Sequence, residues 1–300
     1  MSLPDVPWFE SDGLDAYLAR AGLDADAEVF VRDLARDGYA VVDLGEAARA
    51  LCDQAVAETE AYFDAGAVRV QDAWRRSPAV RRLAVWPAMR ERLRAAYGRD
   101  PFPFQTLNFR RGSTQALHAD TVHFHSVPAR FMCGVWIALE DVRPDAGPLV
   151  YYPGSHRLPV MTMRDAGVNA GRAQPDDYAL HFEPRFAERI DGAGLPRRQA
   201  ELKKGQALVW AANLAHGGAP ILDPDSTRRS LVVHCYFEDC LYYTPMSSDE
   251  AAGDLDLRMP PNVRTGRWAW PKRNGWPAPL APILVARAVL AGVRRQPFVD

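Results

Sequence analysis

The first hundred residues place hydrophobic side chains at helical spacing, with one short run of β-type residues between them. This pattern predicts helices at Asp24–Leu34, Glu46–Phe63 and Arg82–Tyr97, and a strand at Tyr39–Leu44. The pattern stops at Asp100-Pro101, because the residue before a proline disfavours helical backbone. Residues 1–100 are therefore predicted to form a mostly helical N-terminal support.

From residue 101 the chain changes to short β-type runs that are separated by glycine and proline. The runs are Phe104–Phe109, Ala116–Asp120, Phe131–Leu139, Pro148–Tyr152, Gln206–Trp210 and Ser230–Phe237. Many short strands with turn signals predict a β-sandwich or barrel over residues 101–240. Residues 159–204 are polar and weakly patterned, and a loop of that length predicts a functional insertion that acts as a lid.

Residues 241–300 are rich in proline and tryptophan and are predicted to wrap around the core as a C-terminal extension. Within them, Leu280–Val293 has a short helical pattern that Arg287 interrupts. No hydrophobic run reaches the length needed to span a membrane. We interpret the whole chain as a single domain.

Composition narrows the functional classes. The chain has 300 residues, of which 48% are hydrophobic and 25% charged, and a net charge of −2, which argues against a nucleic-acid-binding protein. Its N-terminus lacks the basic and apolar segments of a signal peptide. The 4 cysteines form no C-x-x-C pair and are expected to be free thiols in the cytoplasm. The oligomeric state cannot be deduced from the sequence.

His118-Ala119-Asp120 carries the most specific chemical signal in the chain. Side chains two apart on a strand point the same way, so this segment can offer an imidazole and a carboxylate to one metal ion. His216, which follows a predicted strand and precedes Gly217-Gly218, supplies a second imidazole. Two histidines and one carboxylate can bind Fe(II) and leave coordination positions open, which predicts a non-haem iron oxygenase.

A second histidine pair offers an alternative metal site. His123 and His125 have the spacing that some cupin metal sites use, but residues 126–130 contain no carboxylate to complete it. We therefore favour the site at His118, Asp120 and His216. His123 and His125 then either face the substrate or make hydrogen bonds in the core.

Several segments together resemble the phytanoyl-CoA dioxygenase family of Fe(II)/2-oxoglutarate oxygenases. They are the early Arg36–Val42, His118–Asp120, Gly134–Asp141, Gly147–His156, His216–Gly218 and Arg228–Leu231. The resemblance spans roughly residues 25–240 and implies a mainly β fold with flanking helices. The core of that fold is a double-stranded β-helix, also called a jelly-roll or cupin-like core.

The resemblance also assigns roles to residues. It implies that His118, Asp120 and His216 bind iron, and that Arg228 pairs with the C5 carboxylate of 2-oxoglutarate. Arg229 is the alternative to Arg228, because adjacent strand residues face opposite sides. Further candidates for the cosubstrate pocket are Ser230, which shares the face of Arg228, together with Trp136, Gln105 and Asn108.

The activity expected from the resemblance is that of an Fe(II)/2-oxoglutarate-dependent dioxygenase. It would use O2 to hydroxylate an unactivated C–H bond of a small organic metabolite and release succinate and CO2. Asp120 argues against halogenation, since halogenating relatives have a small residue in its place. Two alternatives stay open: a cupin-type metal oxygenase or isomerase that does not use 2-oxoglutarate, and a non-catalytic binding protein on the same fold.

Overall fold

A computed structural model describes residues 3–168, 174, 176–280 and 298–299. Its helices are α1 (Leu14–Ala21), α2 (Ala25–Asp37), α3 (Glu46–Asp64), α4 (Pro78–Ala84), α5 (Pro87–Tyr97) and α6 (Glu183–Gly192). None of the helices described is both long enough and apolar enough to cross a membrane.

The strands of the N-terminal part and the core are β1 (Tyr39–Asp43), β2 (Arg69–Gln71), β3 (Pro101–Phe109), β4 (His125–Val127), β5 (Met132–Ala138), β6 (Leu149–Tyr151), β7 (Arg198–Gln199), β8 (Gln206–Ala211), β9 (His216–Gly218), β10 (Ser230–Phe237) and β11 (Leu241–Tyr243). The C-terminal extension adds five two-residue strands: β12 (Pro261–Asn262), β13 (Arg267–Trp268), β14 (Lys272–Arg273), β15 (Trp276–Pro277) and β16 (Phe298–Val299). The chain therefore has the mainly β character with flanking helices that the sequence predicts.

Two sheets face each other in the described part of the chain. The larger has seven strands in the order β1-β8-β5-β10-β3-β2-β16, and the smaller has three in the order β7-β6-β9. Every pairing within these sheets is antiparallel. The pairs β4–β11, β12–β13 and β14–β15 form separate two-stranded ribbons.

Both faces of the central strands β5 and β10 are buried, and the alternation along them separates two cores. On β5, Val135 and Ile137 face the N-terminal helices, whereas Trp136 and Ala138 face the small sheet. The helix-side core includes residues from α2 to α5, and the inner core joins Trp136 to Leu149 on the small sheet. Among the hydrophobic clusters of the described residues, only the one between the two sheets contains residues from both of them.

The predicted helix Arg82–Tyr97 is wrong in its boundaries, because the structure has two helices there. Helix α4 begins after Ser77, whose hydroxyl accepts a hydrogen bond from the Val80 amide at 3.0 Å. Trp86 has ψ of 121° and separates α4 from α5, which starts at Pro87. Proline lacks an amide hydrogen and disfavours helical backbone at the preceding residue, so Pro87 ends one helix and starts the next.

The segment 159–204, predicted to be a loop, contains helix α6 and an irregular helical turn at Tyr178–Phe182 that runs into it. Phe182, Phe186 and Ile190 recur at four-residue spacing and form one buried cluster with Met161 and Met163. The spacing was present in the sequence, but the polar residues around it masked it. Of the predicted segment Leu280–Val293, residues 281–293 lie outside the described part of the chain.

His156 fixes the turn after β6 against the end of α2. It is 1% exposed, and its ring packs on Gly38, where a Cβ would overlap the imidazole. Gly38 has φ of 78° and ends α2 in the left-handed region. Burial lowers the pKa of His156 to about 4, with a smaller contribution from Arg157.

This burial predicts a specific loss of stability in acid. The unfolded chain takes up a proton at His156 near pH 6.5, but the folded chain does so only near pH 4, so acid favours unfolding between these values. Between pH 7 and pH 5, the wild type should lose about 2 kcal/mol more unfolding free energy than His156→Gln. Urea unfolding at both pH values measures this, with His181→Gln at a half-exposed site as the control. Equal losses in wild type and His156→Gln would contradict the prediction.

Candidate metal centre

A pair of backbone hydrogen bonds joins the two histidine segments. The His118 amide donates to the His216 carbonyl at 2.9 Å, and the His216 amide donates to the His118 carbonyl at 2.8 Å. The backbones lie so close that a Cβ at Gly218 would be 2.8 Å from the Thr114 nitrogen. Glycine at the end of β9 is therefore needed for the approach that brings the imidazoles together.

The predicted strand Ala116–Asp120 is wrong, because only His118 makes a β-bridge and Asp120 begins a 3-10 turn that ends at Val122. Ala119 between them is nevertheless extended, with φ of −121° and ψ of 144°. One extended residue is enough to send the side chains on either side of it in the same direction. The spacing argument for His118 and Asp120 therefore holds although the strand does not form.

The three predicted ligands meet in one buried cluster. One ligand atom from each of His118, Asp120 and His216 lies within 4.8 Å of the others. Asp120 Oδ1 is 3.9 Å from His118 Nε2 and 3.8 Å from His216 Nε2. Among the residues that the structure describes, this is the one group of histidine, cysteine and acidic side chains that can hold a metal ion.

Backbone carbonyls determine which nitrogen of each imidazole is free. His118 Nδ1 donates to the Ala116 carbonyl at 2.8 Å, and His216 Nδ1 donates to the Leu214 carbonyl at 2.9 Å. A carbonyl can only accept, so each Nε2 keeps its lone pair when the ring is neutral. Burial and the nearby His216 lower the pKa of His118 to about 3. The His118 ring is therefore neutral at physiological pH, as metal binding requires.

The Asp120 carboxylate is oriented by Trp210. The indole Nε1 donates to Asp120 Oδ2 at 2.7 Å, which leaves Oδ1 towards the imidazoles. Gly134 pairs directly with Trp210, and a Cβ at Gly134 would overlap the indole. Burial alone would raise the pKa of Asp120, but the neighbouring histidines and the Trp210 hydrogen bond lower it. The aspartate is therefore held as an oriented carboxylate.

The cluster opens into a cavity of about 400 Å³ between the sheets. Arg228 lines this cavity, whereas Arg229 faces the other way and pairs with Glu60 at 2.8 Å and with Glu140 at 3.5 Å. Alternation along the strand explains the difference. Of the two arginines that the sequence left open, Arg228 is the one available to a ligand.

Arg228 is a buried guanidinium that has no carboxylate partner among the described residues. Its Nη2 donates to the Arg111 carbonyl at 3.2 Å, and its Nε has no hydrogen-bond partner. Its guanidinium carbon lies 5.4 Å from the Trp136 ring. Burial lowers the pKa of Arg228 to about 10. The Ser230 hydroxyl on the same face of β10 is also buried without a partner, so both side chains can accommodate an anion.

The remaining predicted pocket residues fall on two faces of β3. Gln105 lines the cavity, and its Oε1 accepts a hydrogen bond from His234 Nδ1 at 2.8 Å. Asn108 pairs directly with Leu231, whose side chain belongs to the helix-side core. The structure therefore does not bring Asn108 to the cavity, because it lies an odd number of residues from Gln105.

The two histidines of the alternative site are held apart. His123 lines the cavity, with its ring centre 6.0 Å from that of His118. His125 Nδ1 donates to the Tyr243 hydroxyl at 2.6 Å, in the ribbon of β4 and β11. The described structure therefore gives these two side chains no shared metal site.

Several cavity residues were missed from the sequence, among them Gln115, His234, Tyr178 and Arg258. Gln115 Nε2 lies 3.2 Å from His118 Nε2, and His234 Nε2 lies 3.8 Å from Asp120 Oδ2. Tyr178 comes from the 159–204 insertion, and Arg258 comes from the C-terminal extension. The alternation with Arg228 could have indicated His234, but no sequence pattern links Tyr178 or Arg258 to the site.

The donor set fits a non-haem iron ion. Two neutral imidazole nitrogens and one carboxylate oxygen form the ligand set of mononuclear Fe(II) oxygenase sites. The unpartnered Nε of Arg228 fits a carboxylate-bearing cosubstrate in the same cavity, and the unpartnered Ser230 hydroxyl lies two residues further along the chain.

Comparisons with known proteins agree with this site. A sequence model of the family described as phytanoyl-CoA dioxygenase (PhyH) matches residues 28–230. Among the curated proteins, none matches the chain.

Several solved structures share the fold. The epimerase SnoN of nogalamycin biosynthesis, in complex with Fe3+, alpha ketoglutarate and nogalamycin RO, is 22% identical and covers 85% of this chain and 96% of its own, with a TM-score of 0.57. The alpha-ketoglutarate-dependent carbocyclase SnoK is 18% identical and covers 77% and 91%, with a TM-score of 0.55. EctD from S. alaskensis, with 2-oxoglutarate and 5-hydroxyectoine, is 18% identical and covers 75% and 79%, with a TM-score of 0.55. At these identities the likeness is one of fold.

The Trp210 hydrogen bond predicts an effect on metal affinity. Trp210→Phe should weaken Co(II) binding about tenfold, because the partners that orient a ligand affect affinity by about 10- to 100-fold. Asp120→Ala should abolish tight binding. Anaerobic titration followed by the cobalt absorption bands measures both, and Trp276→Phe at a 78% exposed site is the control. Unchanged affinity in Trp210→Phe would show that the indole does not orient the carboxylate.

Proposed function

The chain belongs to the phytanoyl-CoA dioxygenase family, and from this premise and the site we propose that it is an Fe(II)- and 2-oxoglutarate-dependent oxygenase of a small organic molecule. One observation carries the proposal. The three predicted metal ligands lie on the walls of a single cavity together with Arg228, which has no carboxylate partner among the described residues. A metal-binding protein without a cosubstrate would have no use for a buried, unpaired guanidinium, which is costly to retain.

In this proposal His118, Asp120 and His216 hold the iron, and Arg228 holds the C5 carboxylate of 2-oxoglutarate. Ser230 adds a hydrogen bond to that carboxylate, and Trp136 forms the wall beside it. When bound, iron and 2-oxoglutarate supply the oxidising power for an unactivated C–H bond, with O2 consumed and succinate and CO2 released.

The protein's own contribution is orientation and exclusion of water. The imidazoles are held by the carbonyls of Ala116 and Leu214, and Trp210 holds the carboxylate. The cluster is almost fully buried, so ligands enter a site whose polar groups are already in place. We further propose that the two facing sheets form a double-stranded β-helix and that residues 159–204 act as its lid.

We propose hydroxylation as the reaction. This is narrower than the family alone supports, since SnoN is an epimerase and SnoK a carbocyclase. The four described cysteines are free and buried, which supports a reducing compartment such as the cytoplasm. Arg228 argues against a cupin-type enzyme that does not use 2-oxoglutarate, and the intact ligand set argues against a non-catalytic protein.

Removal of the Arg228 guanidinium tests the cosubstrate. Arg228→Gln should weaken 2-oxoglutarate binding by about 10- to 100-fold, because a charge-assisted pair in a buried site is lost. Calorimetric titration of the Mn(II)-loaded protein under nitrogen measures the affinity. Succinate release with a metabolite library then measures turnover in the Fe(II)-loaded wild type.

Arg229→Gln is the matched control, since it removes the adjacent guanidinium and its ion pair with Glu60 but leaves the cavity unchanged. Its affinity for 2-oxoglutarate should stay close to that of the wild type. Equal binding by wild type and Arg228→Gln would favour the alternative of a metal enzyme that does not use 2-oxoglutarate.

A further inference from the structure

The cavity has a second arginine whose charge is not matched. Arg258, in the C-terminal extension, lines the cavity together with Arg228. The guanidinium of Arg258 makes one hydrogen bond, from Nη1 to the His123 carbonyl at 3.3 Å. No carboxylate among the described residues pairs with it. Most of its five N–H donors therefore remain available to a ligand.

Arg258 is held in place from two sides. Its backbone amide donates to the Tyr242 carbonyl at 2.7 Å, which attaches the extension to β11. Its guanidinium carbon lies 4.8 Å from the Phe124 ring and 5.9 Å from the Phe104 ring. Stacking on aromatic rings occupies the faces of a guanidinium and leaves its in-plane N–H groups for hydrogen bonds. The side chain is therefore preorganised without being neutralised.

A second donor lies on a residue that contacts His123. Tyr178 lines the cavity, and its hydroxyl is buried without a hydrogen-bond partner among the described residues. The Tyr178 ring lies 4.9 Å from the ring of His123, the residue whose carbonyl receives Arg258. The insertion and the C-terminal extension thus meet at His123. The insertion contributes the Tyr178 hydroxyl and the extension contributes the Arg258 guanidinium, and both have N–H or O–H groups without a partner among the described residues.

The charges of the cavity favour an anion at this position. Its walls carry three guanidinium groups, from Arg69, Arg228 and Arg258, and one carboxylate, from Asp120. With the proposed function, the three positive charges of Fe(II) and Arg228 equal the three negative charges of 2-oxoglutarate and Asp120. Arg69 has an interaction within the protein. Arg258 makes its one hydrogen bond to a carbonyl and none to a carboxylate among the described residues, so its charge can serve a further ligand.

We propose that Arg258, assisted by the Tyr178 hydroxyl, binds a carboxylate of the organic substrate and so selects carboxylic acids as the substrate class. This inference rests on the proposed function, which assigns Arg228 to 2-oxoglutarate. A single unmatched guanidinium suits a monovalent carboxylate better than a phosphate dianion. A cavity of about 400 Å³ that also holds the cosubstrate limits the substrate to a small molecule.

The test measures binding to wild-type protein loaded with Mn(II) and 2-oxoglutarate under nitrogen. The probes are a library of small aromatic and aliphatic carboxylic acids, each paired with its neutral primary amide, and a set of phosphate monoesters. Thermal shift selects the acid that binds best, and calorimetry gives its affinity. The wild type should bind that acid at least tenfold more tightly than its amide.

Arg258→Gln should lose that preference, with acid affinity falling about tenfold or more and amide affinity unchanged. Arg258→Lys keeps the charge and should retain part of the preference, which separates loss of charge from loss of folding. Tyr178→Phe should weaken acid binding about fivefold. Arg267→Gln, an exposed arginine on β13 of the same extension, is the matched control and should bind like the wild type.

Equal binding of acids and amides by the wild type, an unchanged preference in Arg258→Gln, or preference for the phosphate monoesters would each overturn the inference. Failure of the proposed function would be seen separately, as the absence of any thermal shift when 2-oxoglutarate alone is added to the Mn(II)-loaded wild type. The ratio of the affinities for the acid and for its amide, measured without 2-oxoglutarate, would then still show whether Arg258 binds a carboxylate.

Discussion

Two reciprocal hydrogen bonds between the backbones of His118 and His216 are the interaction on which the site depends. They join segments that are almost one hundred residues apart, and they determine which faces of those segments meet. Close approach requires glycine at the end of β9, because any side chain at Gly218 would collide with Thr114. The imidazoles therefore owe their proximity to backbone pairing.

Burial then determines what the assembled groups can do. It keeps His118 neutral with its lone pair on Nε2, while the histidines and Trp210 keep Asp120 ionised. The same burial leaves Arg228 with an uncompensated positive charge in the cavity wall. Desolvation penalises the charged form of all three groups. Asp120 stays charged because it has partners that favour the carboxylate, whereas Arg228 has no carboxylate partner among the described residues.

The segments outside the two facing sheets complete the cavity. Tyr178 lies in the insertion at 159–204 and Arg258 in the C-terminal extension, and the two meet at His123. Strands of both sheets form most of the cavity wall, and the insertion and the C-terminal extension add Tyr178, Thr244 and Arg258 to it. An arrangement of this kind allows one metal centre to serve different substrates, because loops tolerate changes in sequence that strands of a sheet do not.

The sequence by itself determined those features that depend only on residues close together along the chain. Strand Ser230–Phe237 was predicted with its boundaries, and the spacing of His118 and Asp120 required only one extended residue between them. Helix α6 and the break at Pro87 also have local signals in the sequence, but polar residues surround the hydrophobic spacing of α6, and hydrophobic residues continue on both sides of Pro87.

Tertiary structure alone decided the rest. The sequence left the choice between Arg228 and Arg229 open. The tertiary structure places Glu60 of α3 and Glu140 beside Arg229, and it places Arg228 in the cavity wall. Asn108 and Gln105 separate for the same reason, and Arg258 reaches His123 across 135 residues. The alternation along a strand predicts that the side chains of adjacent residues face opposite sides of the sheet. Only the pairing of strands that are distant in the sequence determines which side becomes the interior.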